Sequence, residues 1–306
     1  KAMITLLLCI LKATDAIDDV FGGYYQKNGR LDMSGKIMSI RIVSYVVGFC
    51  VVLLMTKNLV ISCCIAIVIS GIVLFGLIYS TKEIFELEKP IFEWKKIGRL
   101  LKECFPLCIS AFLLIYMGNA PKYAIDIYMT DKAQAYYTYL FMPCFVTNLF
   151  VGFALQPLLV RLSKKWVHKE YKSFLKLCGM IVIGAIAISA IIVVIGGIIG
   201  CPILSIISGI NLNKYRKELI ILLVGGGFFA MVVIEQVILT VMRKQQFLLL
   251  GFIIASITAM ICSNPMVKSM QLQGAGMAYT TSAIVLCVVL GIMIVVLYLK
   301  EKRNNN

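Results

Sequence analysis

The chain has 306 residues, of which 60% are hydrophobic and only 15% charged, with a formal net charge of +15. Soluble globular chains hold about 45–50% apolar and about 25% charged residues, and disordered chains far less apolar matter, so both classes are excluded. The apolar residues run in long unbroken stretches rather than in alternating segments of about ten, which excludes a membrane β-barrel too. An all-α membrane protein remains, a polytopic helical bundle with a mean hydropathy of +0.93.

Windows of about 19 residues give nine candidate membrane spans. The first runs from Ala2 to Tyr24 and is polar in its second half. There Lys12 and Asp15 are spaced i,i+3, and Asp15 and Asp19 i,i+4, so all three share one helix face. Two readings stand for this group: a structural ion pair at the inner helix end, or a pair lining a cavity. The second and third spans cover Ile37 to Met55 and Leu59 to Tyr79. The polar stretch Ser80 to Leu101, with Glu83, Glu86, Glu88, Pro90 and Glu93 among lysines, reads as a cytoplasmic linker. It would separate residues 1–80, one helical bundle, from residues 103–306, a second, with the linker itself at 81–102.

The fourth span, Cys104 to Tyr123, ends in a cluster of Asn119, Pro121, Lys122 and Asp126. Proline removes a backbone donor and should kink the helix there. Beside such a kink Lys122 either cradles a substrate or snorkels to the headgroups from about 27 Å up the helix. In the fifth span, Tyr136 to Leu159, Asn148 and Gln156 are eight apart and share a face. They suit either sugar hydroxyls or a neighbouring helix. Tyr136, Tyr137 and Tyr139 fit an aromatic belt at the membrane interface.

The remaining spans are Leu175 to Ile199, Leu219 to Met242, Phe247 to Cys262 and Gly274 to Leu299. Glu235 lies about 24 Å into a roughly 30 Å hydrocarbon core if its helix enters from outside. Intramembrane charge costs a few kcal/mol and marks function by default. Glu235 either binds a proton or cation that couples transport, or neutralises a neighbouring basic residue or reaches the headgroups; Asp126 is a second candidate for the coupling ion. Arg41 and Arg161, at inner helix ends, read as snorkelling side chains. The glycines at 196–197, 225–227, 274 and 276 permit close helix approach or bending without naming a ligand.

Lys and Arg concentrate in one alternating set of loops, near 27–41, 82–102, 161–176, 243–244 and 300–303, by roughly three to one. That puts the C-terminus in the cytoplasm. The basic charge is therefore topological, and no nucleic-acid partner is expected. The eleven cysteines mostly lie in or beside apolar runs as small hydrophobes, and His168 has no metal-ligand spacing around it, so no metal is expected. No phosphate-binding G-x-x-x-x-G-K-[ST], no G-x-S-x-G and no zinc-protease motif occurs, and no outside loop is large enough for a catalytic domain. Lys1 leads into an apolar run without a cleavage-site pattern, so no signal peptide is expected, and the chain reads as a piece whose beginning is missing.

Asn119 to Asp126 (NAPKYAID), Gln134 to Leu159 with the basic RLSKKW after it, Asp19 to Lys36, and Leu272 to Tyr279 (LQGAGMAY) together carry a resemblance. In order, spacing and topology they resemble bacterial polysaccharide flippases of the Wzx type, in the multidrug/oligosaccharidyl-lipid/polysaccharide exporter superfamily. The resemblance spreads over nearly the whole chain. It implies two six-helix bundles around a cavity open alternately to either side, here lacking about three and a half N-terminal helices. It implies a transporter of the bacterial plasma membrane and not an enzyme. Such a protein would move undecaprenyl-pyrophosphate-linked oligosaccharide from the inner to the outer leaflet, with membrane lipids and other polysaccharide-assembly proteins as partners. No cofactor is expected beyond H+ or Na+ as a coupling ion. On that reading Lys12 and Lys122 are candidate anion partners, Asn148 and Gln156 candidate sugar contacts, Asn119 a further candidate for substrate binding, and Glu235 and Asp126 candidate coupling sites. The alternatives are a multidrug cation exporter of the same superfamily, which would want acidic, aromatic-lined cavities, and a membrane glycosyltransferase or polymerase.

Overall fold

The computed structural model describes residues 2–27, 30–81, 93–244 and 246–304, those at 26, 27, 31, 103, 107, 153–157, 159, 160 and 304 by backbone alone. The described residues are helical almost throughout and contain no strand. Apolar runs near 20 residues long can satisfy their backbone only within themselves, and the helix does that. The chain divides into two compact units, residues 1–92 and 93–306.

Unit 1 holds α1 (Ala2–Lys27), α2 (Leu31–Thr56) and α3 (Leu59–Thr81). Its apolar centre is small, formed by Tyr25, Ile37, Leu74 and Ile78. Next to it stands a polar centre. Arg41 of α2 is one of the largest fully buried side chains in the protein. Its guanidinium lies 2.8 Å from Asp15 and 3.0 Å from Asp18, both on α1, and donates to Ser70 Oγ of α3 at 3.1 Å. The reading of Arg41 as a snorkelling side chain is therefore corrected. Two carboxylates from a neighbouring helix hold it inside, because a buried guanidinium persists only where acceptors surround it.

Unit 2 holds α4 (Trp94–Tyr128), α5 (Asp131–Val167), α6 (Tyr171–Ile195), α7 (Cys201–Ser208), α8 (Arg216–Val241) and α9 (Gln246–Asn304). Half of the stretch expected to be a linker, 82–92, lies outside the described residues; Trp94 already begins α4. That helix runs on through Pro106 and Pro121 to Tyr128. Thr130 caps α5 by accepting from the Ala133 N–H, while Asp131 in its first turn and Lys164 and Lys165 in its last complement the helix dipole. Between α6 and α7 the helix widens into a π turn, Gly196–Gly200. The Gly197 carbonyl there accepts from Arg216 Nε at the start of α8. The long helix α9 breaks at Gln271 (φ 54°, ψ −130°) into arms 246–270 and 272–304.

Among the described residues six helices are long and apolar enough to cross a membrane, and the protein is a multi-pass membrane protein. The count differs from the nine expected spans for identifiable reasons. The apolar stretch in α9 runs across the Gln271 break and so contains two of them. Helix α1 falls short because Lys12, Asp15, Asp18 and Asp19 stand together in its middle. Helix α5 holds part of its expected span, 153–157, where side chains lie outside the described residues.

Lipid tails are as apolar as leucine, so helices in a bilayer associate through close packing of small residues. Three consecutive glycines of α8 do this toward three partners. A Cβ on Gly225 would meet the Tyr279 ring and Thr280 of α9, on Gly226 Cys144 of α5, and on Gly227 Ser189 of α6. Tyr137 departs from expectation: it is buried in the core of unit 2, with its ring stacked on Phe141 at 5.9 Å. A belt position would leave it at the headgroups, but its face of α5 is the one that packs inward.

Candidate functional site

Helix α4 presents Ile115, Gly118, Asn119 and Lys122 at spacings of three and four, and α5 presents Phe141, Cys144, Phe145 and Asn148 at the same spacings. Each set forms one helix face. The two faces, with Phe229 of α8 and Tyr279 of α9, enclose a cavity of about 230 Å³. Asn119 and Lys122, from the fourth expected span, and Asn148, from the fifth, are thus brought together. Lys122 is half-buried, with its Nζ 5.3 Å from the centroid of the Phe141 ring. Cation–π attraction of this kind contributes about 0.5–2 kcal/mol. Among the described residues no carboxylate lies within ion-pair distance of it. Asp126, one turn further on, is exposed.

The aromatic wall is rigidly packed. The Phe141 ring meets Tyr279 edge-on at 4.9 Å and Phe145 edge-on at 5.4 Å. Cys144 Sγ donates to the Leu222 carbonyl at 3.1 Å, tying α5 to α8 behind the cavity. The two amides are less committed. Asn119 Nδ2 donates to the Ile115 carbonyl of its own helix at 2.9 Å, and Asn148 Nδ2 to the Cys144 carbonyl at 3.3 Å. Asn148 Oδ1 is buried and, among the described residues, has no hydrogen-bond partner. The cavity therefore offers one ammonium, two amides with spare capacity and aromatic faces. Its volume is under the roughly 300–1,000 Å³ usual for small-molecule clefts, so it is the size of a subsite for one charged group.

Glu235 belongs to a different place. Adjacent residues of α8 divide the two: Phe229 lines the Lys122 cavity, and Phe228 lines a second cavity of about 490 Å³ that contains Glu235. Its walls are apolar side chains of α6 and α8, with Ser189 and Cys287 as polar neighbours. Cys287 Sγ lies 3.6 Å from Glu235 Oε1 and donates to it. A Cβ on Gly291, one turn beyond Cys287, would come within 3.2 Å of the same oxygen. Glu235 Oε2 and Ser189 Oγ are both buried with no hydrogen-bond partner among the described residues. No base lies within ion-pair distance of Glu235 among the described residues.

Within unit 1, Lys12 is exposed and pairs with Asp15 at 2.8 Å, as the ion-pair reading expects. The Gln156 side chain lies outside the described residues. Phe141, Tyr279, Ser189 and Cys287 escaped the sequence reading. Helical spacing could have placed Phe141 on the Asn148 face, but nothing in the sequence pairs residue 235 with residue 287.

No family model and no curated protein matches the chain. Among solved structures it is similar to an inward-facing multidrug resistance MATE family transporter of the MOP superfamily, with a TM-score of 0.77. The match covers 96% of this chain and 71% of that one. The chain has a MATE-like fold. Sequence identity is 10%, so what the two chains share is the arrangement of helices.

Proposed function

We propose that the protein is a transporter that flips undecaprenyl-pyrophosphate-linked oligosaccharide from the inner to the outer leaflet of a bacterial plasma membrane. It works by alternating access, coupled to an H+ or Na+ gradient, with its C-terminus in the cytoplasm. The observation that carries this reading is Lys122, an ammonium without a carboxylate partner among the described residues, set among aromatic rings and amides. A pyrophosphate entering there exchanges water for a charge-assisted hydrogen bond, about twice as strong as a neutral one. Asn119 and Asn148 stand beside it for the first sugar hydroxyls, and the prenyl chain stays in lipid. Glu235, across α8, is the proposed ion site, since its free oxygen can take a proton or a cation. Transport of the polar head then follows from rocking of helical bundles around the site.

A second reading, a multidrug or cation exporter of the same superfamily, draws on the solved transporter of similar fold and on the apolar cavity around Glu235. One experiment separates them. In cells whose own flipping of lipid-linked oligosaccharide is blocked, the full chain should restore surface glycan. Lys122→Gln should lower that export about tenfold or more, and Lys122→Arg should largely preserve it. Equal export by wild type and Lys122→Gln at matched membrane levels removes Lys122 from the site. Lowered susceptibility to lipophilic cations without any restored glycan establishes the exporter reading instead.

A further inference from the structure

We infer that unit 2 carries a saccharide-binding site where the turn between α4 and α5, the start of α8 and the Gln271 break of α9 come together. These elements enclose a cavity of about 340 Å³, within the roughly 300–1,000 Å³ usual for small-molecule sites. Its lining includes Lys132, Tyr136, Tyr215, Glu218, Gln271 and Gln273. None of them is a transport candidate, so the site does not depend on the proposed function.

Three observations point to a neutral polyhydroxyl ligand. Glu218 Oε2 is buried with no hydrogen-bond partner among the described residues. A buried carboxylate oxygen left without a donor is costly, and a ligand hydroxyl would satisfy it. Lys132 and Glu218 contribute opposite charges to one cavity, so the lining favours neither an anion nor a cation over a neutral molecule. Tyr136 and Tyr215 hold their rings 5.5 Å apart at 39°, giving the cavity an aromatic wall. Sugar rings need this combination: hydroxyls that donate to a carboxylate and accept from an ammonium, amides that do both, and an apolar surface for the C–H face. Gln271 adds to the argument. Its φ of 54° lies where non-glycine residues are strained, and it is one of the residues that line the cavity.

The test uses the full chain in lipid nanodiscs without sugar-headed detergent, with saturation-transfer NMR as the readout. The probes are methyl α-glucoside, methyl α-galactoside, N-acetylglucosamine and maltotriose. At least one should show saturable binding, weakened about tenfold or more by Glu218→Ala and by Tyr215→Ala, with helix content unchanged. Gln273→Ala serves if either of these fails to fold, and it too should weaken binding. Tighter binding of the trisaccharide than of any single ring identifies a glycan chain as the ligand; equal binding identifies a free sugar. Absence of saturable binding by all four probes overturns the proposal. So does sugar binding that the folded variants leave unchanged, or saturable binding of tetramethylammonium in place of sugars.

Discussion

Replacing Gly274 by alanine should disrupt the turn between the two arms of α9, whereas the same change at Gly276 should not. A Cβ built on Gly274 runs into the carbonyl group of Met266, far inside the 3.0 Å that real Cβ atoms keep, and comes to 3.0 Å from the Val267 nitrogen. All of these atoms are backbone of the facing arm, so no rotamer change relieves the clash. A Cβ on Gly276 meets Ile221 at 3.4 Å, Leu222 at 3.6 Å and the Glu218 carbonyl at 3.7 Å, which is ordinary contact. Overpacking that forces backbone to shift costs about 1–3 kcal/mol. Removing a helical glycine without a clash gains roughly 0.5–1 kcal/mol. The two single variants should therefore lie about 1.5–4 kcal/mol apart, on opposite sides of wild type. Unfolding of the purified protein by SDS in mixed micelles, followed by circular dichroism, measures the difference. A Gly274→Ala midpoint at or above that of wild type would refute the close approach of the two arms.

Three further outcomes are expected. Arg41→Ala leaves Asp18 buried without its cation, so it should destabilise the protein by about 3–5 kcal/mol, and adding Asp18→Asn should recover part of that; an unchanged unfolding midpoint for Arg41→Ala would contradict the buried cluster. Glu235→Gln should leave the protein folded in the membrane yet abolish the dependence of transport on the ion gradient, measured in vesicles with and without that gradient. Retained dependence reduces Glu235 to a structural charge. In intact cells, with the native cysteines removed, single cysteines at Lys95 and Lys172 should resist an impermeant thiol reagent and those at Lys132 and Asn213 should react; the reverse pattern overturns the orientation.

Membrane residence and helical class were legible in the sequence because apolar runs near 20 residues leave the backbone no other way to satisfy its hydrogen bonds. Local pairs were legible as well: Lys12 and Asp15, three apart on one helix, meet at 2.8 Å. So was the membership of a face, since spacings of three and four put Asn119 with Lys122 whatever surrounds them. The direction in which each face turns was not legible, because periodicity relates residues of one helix to each other and says nothing of the neighbour. Arg41, at a helix end, looked like a side chain reaching for water, and only the packing of α1 against α2 brought Asp15 and Asp18 around it. Tyr137 looked interfacial until its face of α5 proved to be the inward one. Glu235 and Cys287 are 52 residues apart and meet because α8 packs against the second arm of α9. The glycines of α8 show the same division. Their lack of side chains was evident in the sequence, but which helix approaches each of the three was decided by rotation about the helix axis, which tertiary packing sets.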